Sequence, residues 1–219
     1  MKLDWAVVWD HAGALAHGTA LTILLAVATM AIALPGGLIV AMLRLSGIRP
    51  LAWASTTFTE FFRNLPLILV IYATYYILPL ATGIAFSPFA TALVALSLNV
   101  SAYNGETFRA GIVSIRRGQG EAALALGMSR LQAMREVILP QALRRVLPVL
   151  ASTWVALFKD TSLVSVISVG ELAYTAMEIR SQTFRVLEML TAMAAIYWML
   201  GYPQAKLVDA INRHFGISE

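Results

Sequence analysis

The chain has 219 residues, of which 59% are hydrophobic and 13% charged, with a mean hydropathy of +0.74. Soluble domains carry about 25% charged residues, so this composition excludes an ordinary soluble domain and suits about five membrane spans of ~20 residues each with their loops. The net charge of +4 does not mark a nucleic-acid binder, because the basic residues flank apolar runs, and the lack of cysteine excludes a disulfide framework or thiolate metal site.

The first apolar run extends from about Thr19 to Leu43 and is interrupted by Pro35-Gly36-Gly37. Two aspartates, Asp4 and Asp10, precede it and argue against a cleavable signal peptide. Next, Leu51 to Phe62 is amphipathic and carries Trp53, Phe58, Phe61 and Phe62, the pattern of an interfacial helix at the headgroups. The second run covers about Leu65 to Leu80; the helical spacing of Tyr72, Tyr75 and Tyr76 reads as packing rather than as a substrate cage. The third covers about Pro88 to Phe108 and becomes polar at Asn99, Ser101, Asn104 and Glu106. The fourth, about Val146 to Phe158, is short and is expected to extend at both ends. The fifth, about Val186 to Val208, contains Gly201 and Pro203. Proline is tolerated in such spans because neighbours and water satisfy the freed carbonyl. Small Ala26, Ala31 and Gly37 suit close helix packing. No internal repeat or flexible linker is present, so residues 1–219 read as one domain.

Five spans place the termini on opposite sides, and the Lys/Arg bias decides which is which. Twelve of the 16 Lys and Arg residues fall on one set of flanks, including Arg44, Arg109, Arg116, Arg117, Arg130, Arg135, Arg144 and Arg145. That side is the cytoplasm, so the C-terminus and the long loop after the third span are cytoplasmic and the N-terminus is outside.

Within that loop, about 118–140, Glu121 to Arg135 reads as a helix with a stripe at Leu124, Met128, Leu131 and Arg135/Ile138. Gly127 can turn one short helix into another, and small Ala122 and Ala123 allow a partner surface to approach. From composition alone an ordinary cytoplasmic amphipathic loop is the better reading. The spacing of Glu121-Ala122-Ala123, Gly127 and Leu139-Pro140 resembles the Glu-Ala-Ala loop of ATP-binding-cassette (ABC) importer permeases, with Val137 where the family has isoleucine. The resemblance implies an all-α membrane protein of the type I importer permease fold, with this loop as a cytoplasmic coupling helix. It also implies a separate ATPase subunit that binds ATP and Mg, an extracytoplasmic solute-binding protein, and a second permease subunit, identical or homologous. This chain itself has no Gly-x4-Gly-Lys-Ser/Thr phosphate loop, and no cofactor of its own is expected.

Three further segments, Glu60 to Pro66, Ala102 to Ile112 and Leu157 to Leu163, resemble the polar amino-acid branch of that family. Arg63-Asn64-Leu65-Pro66 departs from the branch's Arg-Gly-Thr-Pro, and Gly105-Glu106-Thr107 stands where Ala-Glu is common, which blurs the exact substrate. The resemblance implies a bacterial inner-membrane protein that passes solute from its binding protein by alternating access. A permease for quaternary amines such as betaine is the alternative within the class. An ion-driven secondary transporter is the alternative outside it, and no nucleophile constellation suggests a membrane-embedded enzyme.

An amino-acid zwitterion needs two opposite partners in a dry path, and ionisable groups within a membrane are functional candidates by default. Asp160 with Thr161 and Ser162 offers a carboxylate and two hydroxyls, and Arg63, Glu106 and Glu171 are further substrate or gate candidates. The competing reading pairs Asp160 with Lys159 or another span in a packing ion pair. His11, His17 and His214 lack metal-ligand spacing.

Overall fold

The computed structural model describes residues 3–215, with side chains through Arg213, and every regular element in it is a helix. A short helix, α1 (Ala6–Asp10), leads into α2 (Ala12–Leu45), whose 34 residues at ~1.5 Å each exceed the thickness of a hydrocarbon core. The expected interruption at Pro35-Gly36-Gly37 does not occur, because Pro35 stays inside α2. Proline frees one carbonyl, and the two glycines supply close packing where the helix continues through it. They lie against α5 (Pro88–Val113), and the α2–α5 pair is the most extensive helix contact in the fold.

That contact leaves no room for side chains. A Cβ on Gly37 would lie 2.5 Å from the Asn104 Cβ and 2.9 Å from the Gly105 backbone nitrogen. Ala26 is also buried in α2, whereas Ala31, expected in the same role, faces outward. Gly37→Val is therefore expected to destabilise the folded chain by about 3 kcal/mol, the upper range for an overpacked core. Thermal unfolding in detergent checks this, with Gly201→Ala as control because a Cβ there meets nothing within 4 Å. A melting temperature for Gly37→Val equal to that of the control would contradict the packing argument.

The aromatic segment forms α3 (Arg49–Asn64), with Ser55 and Thr59 buried and Trp53 and Phe61 exposed. The Ser55 hydroxyl donates to the Val40 carbonyl at 2.7 Å, which fastens α3 to α2. The chain then bends by 110° into α4 (Leu67–Thr82). Leu65 precedes Pro66 and is extended there, as the proline ring requires. Within α4 a π-helical turn, Ala73–Ile77, lies just before Pro79. A second one, Ala133–Ile138, lies just before Pro140 in α7 (Arg130–Ile167). A widened turn relieves the clash between a proline ring and the carbonyl four residues back.

A short helix, α6 (Arg117–Ala125), connects α5 to α7. The expected fourth run is the centre of α7, which is 38 residues long. It ends in a 3-10 stretch, Thr161–Ile167, and a left-handed Ser168 with φ of 60°. The 12-residue α8 (Leu172–Thr183) was not expected and, at ~18 Å, is too short to cross. The last helix is α9 (Val186–Phe215). By length and composition α2 and α7 qualify as spans, and the bent α3–α4 pair makes a third if the two arms count as one span. Helices α5 and α9, with 26 and 30 residues, are long enough but more polar, through Asn99, Asn104 and Glu106 in one and Glu188 and Lys206 in the other.

Leu25, Ala33, Ile71, Leu96, Leu157 and Val164 form the main core, where α2, α4, α5 and α7 meet. A second cluster of Leu15, Leu172, Ile179 and Met189 binds α8 and α9 to the start of α2. Near that end the buried Glu188 carboxylate accepts from the Asp4 backbone N–H at 2.9 Å, and Arg185 reaches Asp4 at 3.5 Å. Ile39, Ile77, Leu80 and Trp198 point outward, a spread of apolar surface that suits lipid.

Candidate functional site

Asp160 is the last α-helical residue of α7, just before the tighter 3-10 stretch. Its half-buried carboxylate lines a cavity of about 320 Å³ with Leu65, Leu67, Asn99, Tyr103 and Thr153. Asn99 is held there by donating from Nδ2 to the Phe62 carbonyl at 3.0 Å. Asp160 makes no salt bridge or hydrogen bond among the described residues, so the packing ion pair is not formed. Lys159 instead faces a different cavity of about 540 Å³, walled by Phe158, Tyr197 and Trp198. The rotation between successive helix positions separates these neighbours.

The same rotation divides the hydroxyls. Thr161 is fully buried and donates to the Phe158 carbonyl at 2.8 Å; Ser162 donates to the Lys159 carbonyl at 2.8 Å and lines the cavity beside Lys159. The expected Asp160-Thr161-Ser162 constellation is thus not one site. Only Asp160 enters the cavity bounded by α4 and α5.

Glu106 sits near the far end of α5 and is held by two guanidinium groups. Arg44 donates to its Oε2 at 2.7 Å, and Arg109 donates to both oxygens. Arg63 is exposed, with its guanidinium 5.6 Å from the centre of the Tyr103 ring, and it makes no salt bridge among the described residues.

Glu171 is fully buried and works as the cap of α8. Its Oε1 accepts from the Tyr174 N–H at 2.7 Å and its Oε2 from the Ala173 N–H at 2.9 Å. The Tyr197 hydroxyl adds a bond to Oε2 at 2.9 Å and Thr22 a longer one at 3.4 Å. With its lone pairs taken by three helices, Glu171 is a structural clamp in this arrangement, not the open substrate contact that its place in an apolar stretch suggested.

The loop is two helices joined at Gly127, the turn between short helices that Gly127 was expected to allow, so the stripe from Glu121 to Arg135 does not run along one helix. Gly127 closes α6 with φ of +83°. The Met128 N–H reaches back to the Ala123 carbonyl at 3.1 Å and the Gly127 N–H to the Leu124 carbonyl at 3.0 Å, the paired bonds of a Schellman motif. Two residues on, Ser129 caps α7 in a reciprocal box with Gln132. The turn breaks the stripe: Leu124, Leu126 and Leu131 are exposed, while Ile138 packs inward beside Ile112 and Ala142. Glu121 and Ala122 face solvent, but Ala123 is 3% exposed and seals α6 onto its own chain, so the expected partner approach at Ala123 is corrected.

Asn99 and Tyr103 were missed as cavity residues. Their spacing by four on α5, continued by Thr107, is the signal that would have found them. His11 bonds the Val7 carbonyl at 2.8 Å, His214 lies outside the described side chains, and no metal-binding group of three or more acidic, His or Cys residues occurs among the described residues.

A helical bundle with long apolar helices, a charged cavity and a capped, exposed apolar turn fits a membrane transport component. The chain belongs to the binding-protein-dependent transport system inner membrane components, whose family model matches residues 33–216. It is 37% identical over 218 residues to the glutamine transport system permease GlnP of Escherichia coli K12, covering 99% of this chain and 100% of that one. It is 35% identical over 219 residues to the glutamate/aspartate import permease GltK of Escherichia coli O6:H1, covering 97% and 98%. It is also 34% identical to the arginine transport system permease ArtQ of Bacillus subtilis, over 91% of each chain. Among solved structures, an amino acid ABC transporter crystallised with histidines superposes with a TM-score of 0.89 at 32% identity, covering 98% of this chain and all of that one. The methionine ABC transporter MetNI, in an inward-facing conformation, shares the fold at a TM-score of 0.66 and 18% identity. The fold is therefore that of an all-α ABC importer permease.

Proposed function

We propose that this single-domain chain is the membrane-spanning permease of an ATP-driven importer of polar amino acids. The unpaired carboxylate of Asp160 in a cavity of about 320 Å³ carries the substrate reading, because an ammonium is the partner it lacks. A quaternary amine would need an aromatic cage, and Tyr103 is the one aromatic residue lining that cavity. Tyr72, Tyr75 and Tyr76 pack on one another instead. The related glutamine, glutamate/aspartate and arginine permeases support the same substrate class.

The exposed Glu121, Ala122, Leu126 and Gly127 form the face on which a separate ATPase docks, and that subunit binds ATP and Mg. An extracytoplasmic binding protein delivers solute, and a second permease subunit completes the path. ATP binding draws the paired coupling segments together and opens the path outward, and hydrolysis returns it inward. The chain lies in the bacterial inner membrane with its N-terminus outside.

Co-reconstitution of the chain with its ATPase and binding protein tests this. Uptake of radiolabelled L-glutamine, L-glutamate or L-arginine is expected with ATP and is expected to vanish without the ATPase. Uptake of betaine alone would replace the substrate class. For orientation, Ser129→Cys is expected to react with a membrane-impermeant thiol reagent only in inverted vesicles, since the capping serine is exposed beside the coupling turn. Labelling in intact spheroplasts would reverse the topology.

A further inference from the structure

The Asp160 cavity has a neighbour of about 440 Å³, walled by Arg63, Glu106, Ser114, Arg145 and Val149 among others. Tyr103 lines both cavities. The two differ in sign. Glu106 is already matched by Arg44 and Arg109, so its charge does not set the character of the second cavity. Arg63 rests on the Tyr103 ring at 5.6 Å with no salt bridge among the described residues. Arg145 spends Nη1 on the Ser114 carbonyl at 2.7 Å and on the Ser114 hydroxyl at 3.0 Å. A guanidinium has five N–H donors, so both arginines retain donors for a guest. The unmatched charge is negative at Asp160 and positive beyond Tyr103.

From this we infer that the second cavity is an exit-side station that takes the carboxylate of the transported amino acid on Arg63 and Arg145, with the Tyr103 ring as the partition between the two cavities. The inference rests on the amino-acid reading above. A carboxylate paired with a guanidinium makes charge-assisted, often bidentate bonds, stronger than the exposed contact between Arg63 and an aromatic ring. An arriving carboxylate therefore lifts Arg63 from Tyr103. The Tyr103 hydroxyl donates to the Arg63 carbonyl over a long 3.4 Å, so little else holds the ring in place. Loss of the guanidinium frees the partition at the moment the solute has passed it.

The test uses the complete complex in proteoliposomes, with whichever of labelled L-glutamine, L-glutamate or L-arginine the wild type accumulates. Arg63→Gln/Arg145→Gln is expected to lower the maximal uptake rate at least tenfold with little change in KM, because loading from outside precedes this step. Arg63→Lys/Arg145→Lys is expected to recover part of the rate, which a purely structural role would not predict. Tyr103→Ala is expected to release preloaded amino acid without ATP, and Tyr103→Phe to stay closed. Wild-type rates in the Gln double variant, or a tight Tyr103→Ala complex, would overturn the inference. A net-anionic lipid headgroup could supply the same charge, so each measurement is repeated in zwitterionic phosphatidylcholine and with anionic phosphatidylglycerol. A defect that disappears in phosphatidylcholine assigns the cavity to lipid and overturns the solute station; a defect equal in both supports it. Wild-type complex that takes up no amino acid would instead sink the underlying function.

Discussion

Asp160→Asn is expected to cut uptake about a hundredfold while the complex still assembles and hydrolyses ATP. Losing one partner of a desolvated charge pair costs about 3 kcal/mol, and 1.4 kcal/mol is a factor of ten. The substitution keeps the shape of the side chain and removes its charge, so packing around Leu157 and Val100 is preserved. The position supports a role in transport. Helix α7 is unbroken from Arg145 to Asp160, and those fifteen residues rise roughly 22 Å. In the proposed orientation, with the Arg145 end at the cytoplasmic boundary, Asp160 would lie in the outer half of a core about 30 Å thick. It has no hydrogen-bond or ion-pair partner among the described residues. Uptake and ATPase rates of the purified complex decide the matter. An Asn variant that fails to assemble would make Asp160 a structural residue of the assembled complex, and unchanged uptake would place it in water.

Gly127→Val should uncouple the ATPase, lowering uptake about tenfold or more while membrane insertion stays normal. Left-handed backbone costs an ordinary residue about 1–2 kcal/mol, and a β-branched one is a genuine outlier. The effect is one of backbone conformation, since a Cβ at Gly127 would meet nothing within 4 Å in this chain. Opening the turn would change the direction in which α6 ends and move the exposed Leu126 with it. Gly127→Asn supplies the contrast, because asparagine tolerates the left-handed region. Co-purification of the ATPase with each variant, together with uptake, is the measurement. Equal losses for Asn and Val would show that side-chain bulk, and not the turn, is what the partner senses.

Several features were legible because they are properties of short stretches of chain. Apolar runs announce membrane helices through their own composition, and the Gly127 turn follows from its place between two helical patterns. Leu139-Pro140 was read as a motif; its physical counterpart is the π-helical turn that spares Glu136 from the proline ring. Other expectations failed because they treated local signals as final. Pro35-Gly36-Gly37 looked like a break, yet the approach of α5 turns both glycines into contact surface and keeps α2 whole. Helix α8 mixes polar and apolar residues without a span's length, so nothing along the chain announced it.

The charged residues show the division most clearly. The sequence by itself determined which ionisable groups fall within or beside apolar runs, since that follows from counting residues along the chain. It could not determine which of them are already satisfied. Glu171 is occupied because Tyr197, 26 residues later, and Thr22, 149 residues earlier, converge on it. Glu106 is matched across α2 and α5 by Arg44, 62 residues away. Asp160 alone among the three faces a cavity with no partner in the described chain, and Lys159, its neighbour in sequence, faces another. Pairing of charges depends on which helix faces meet, and those faces are chosen by packing between segments far apart in the chain. Composition and spacing carry the membrane and the coupling turn; only the packed bundle separates a clamp from an open carboxylate.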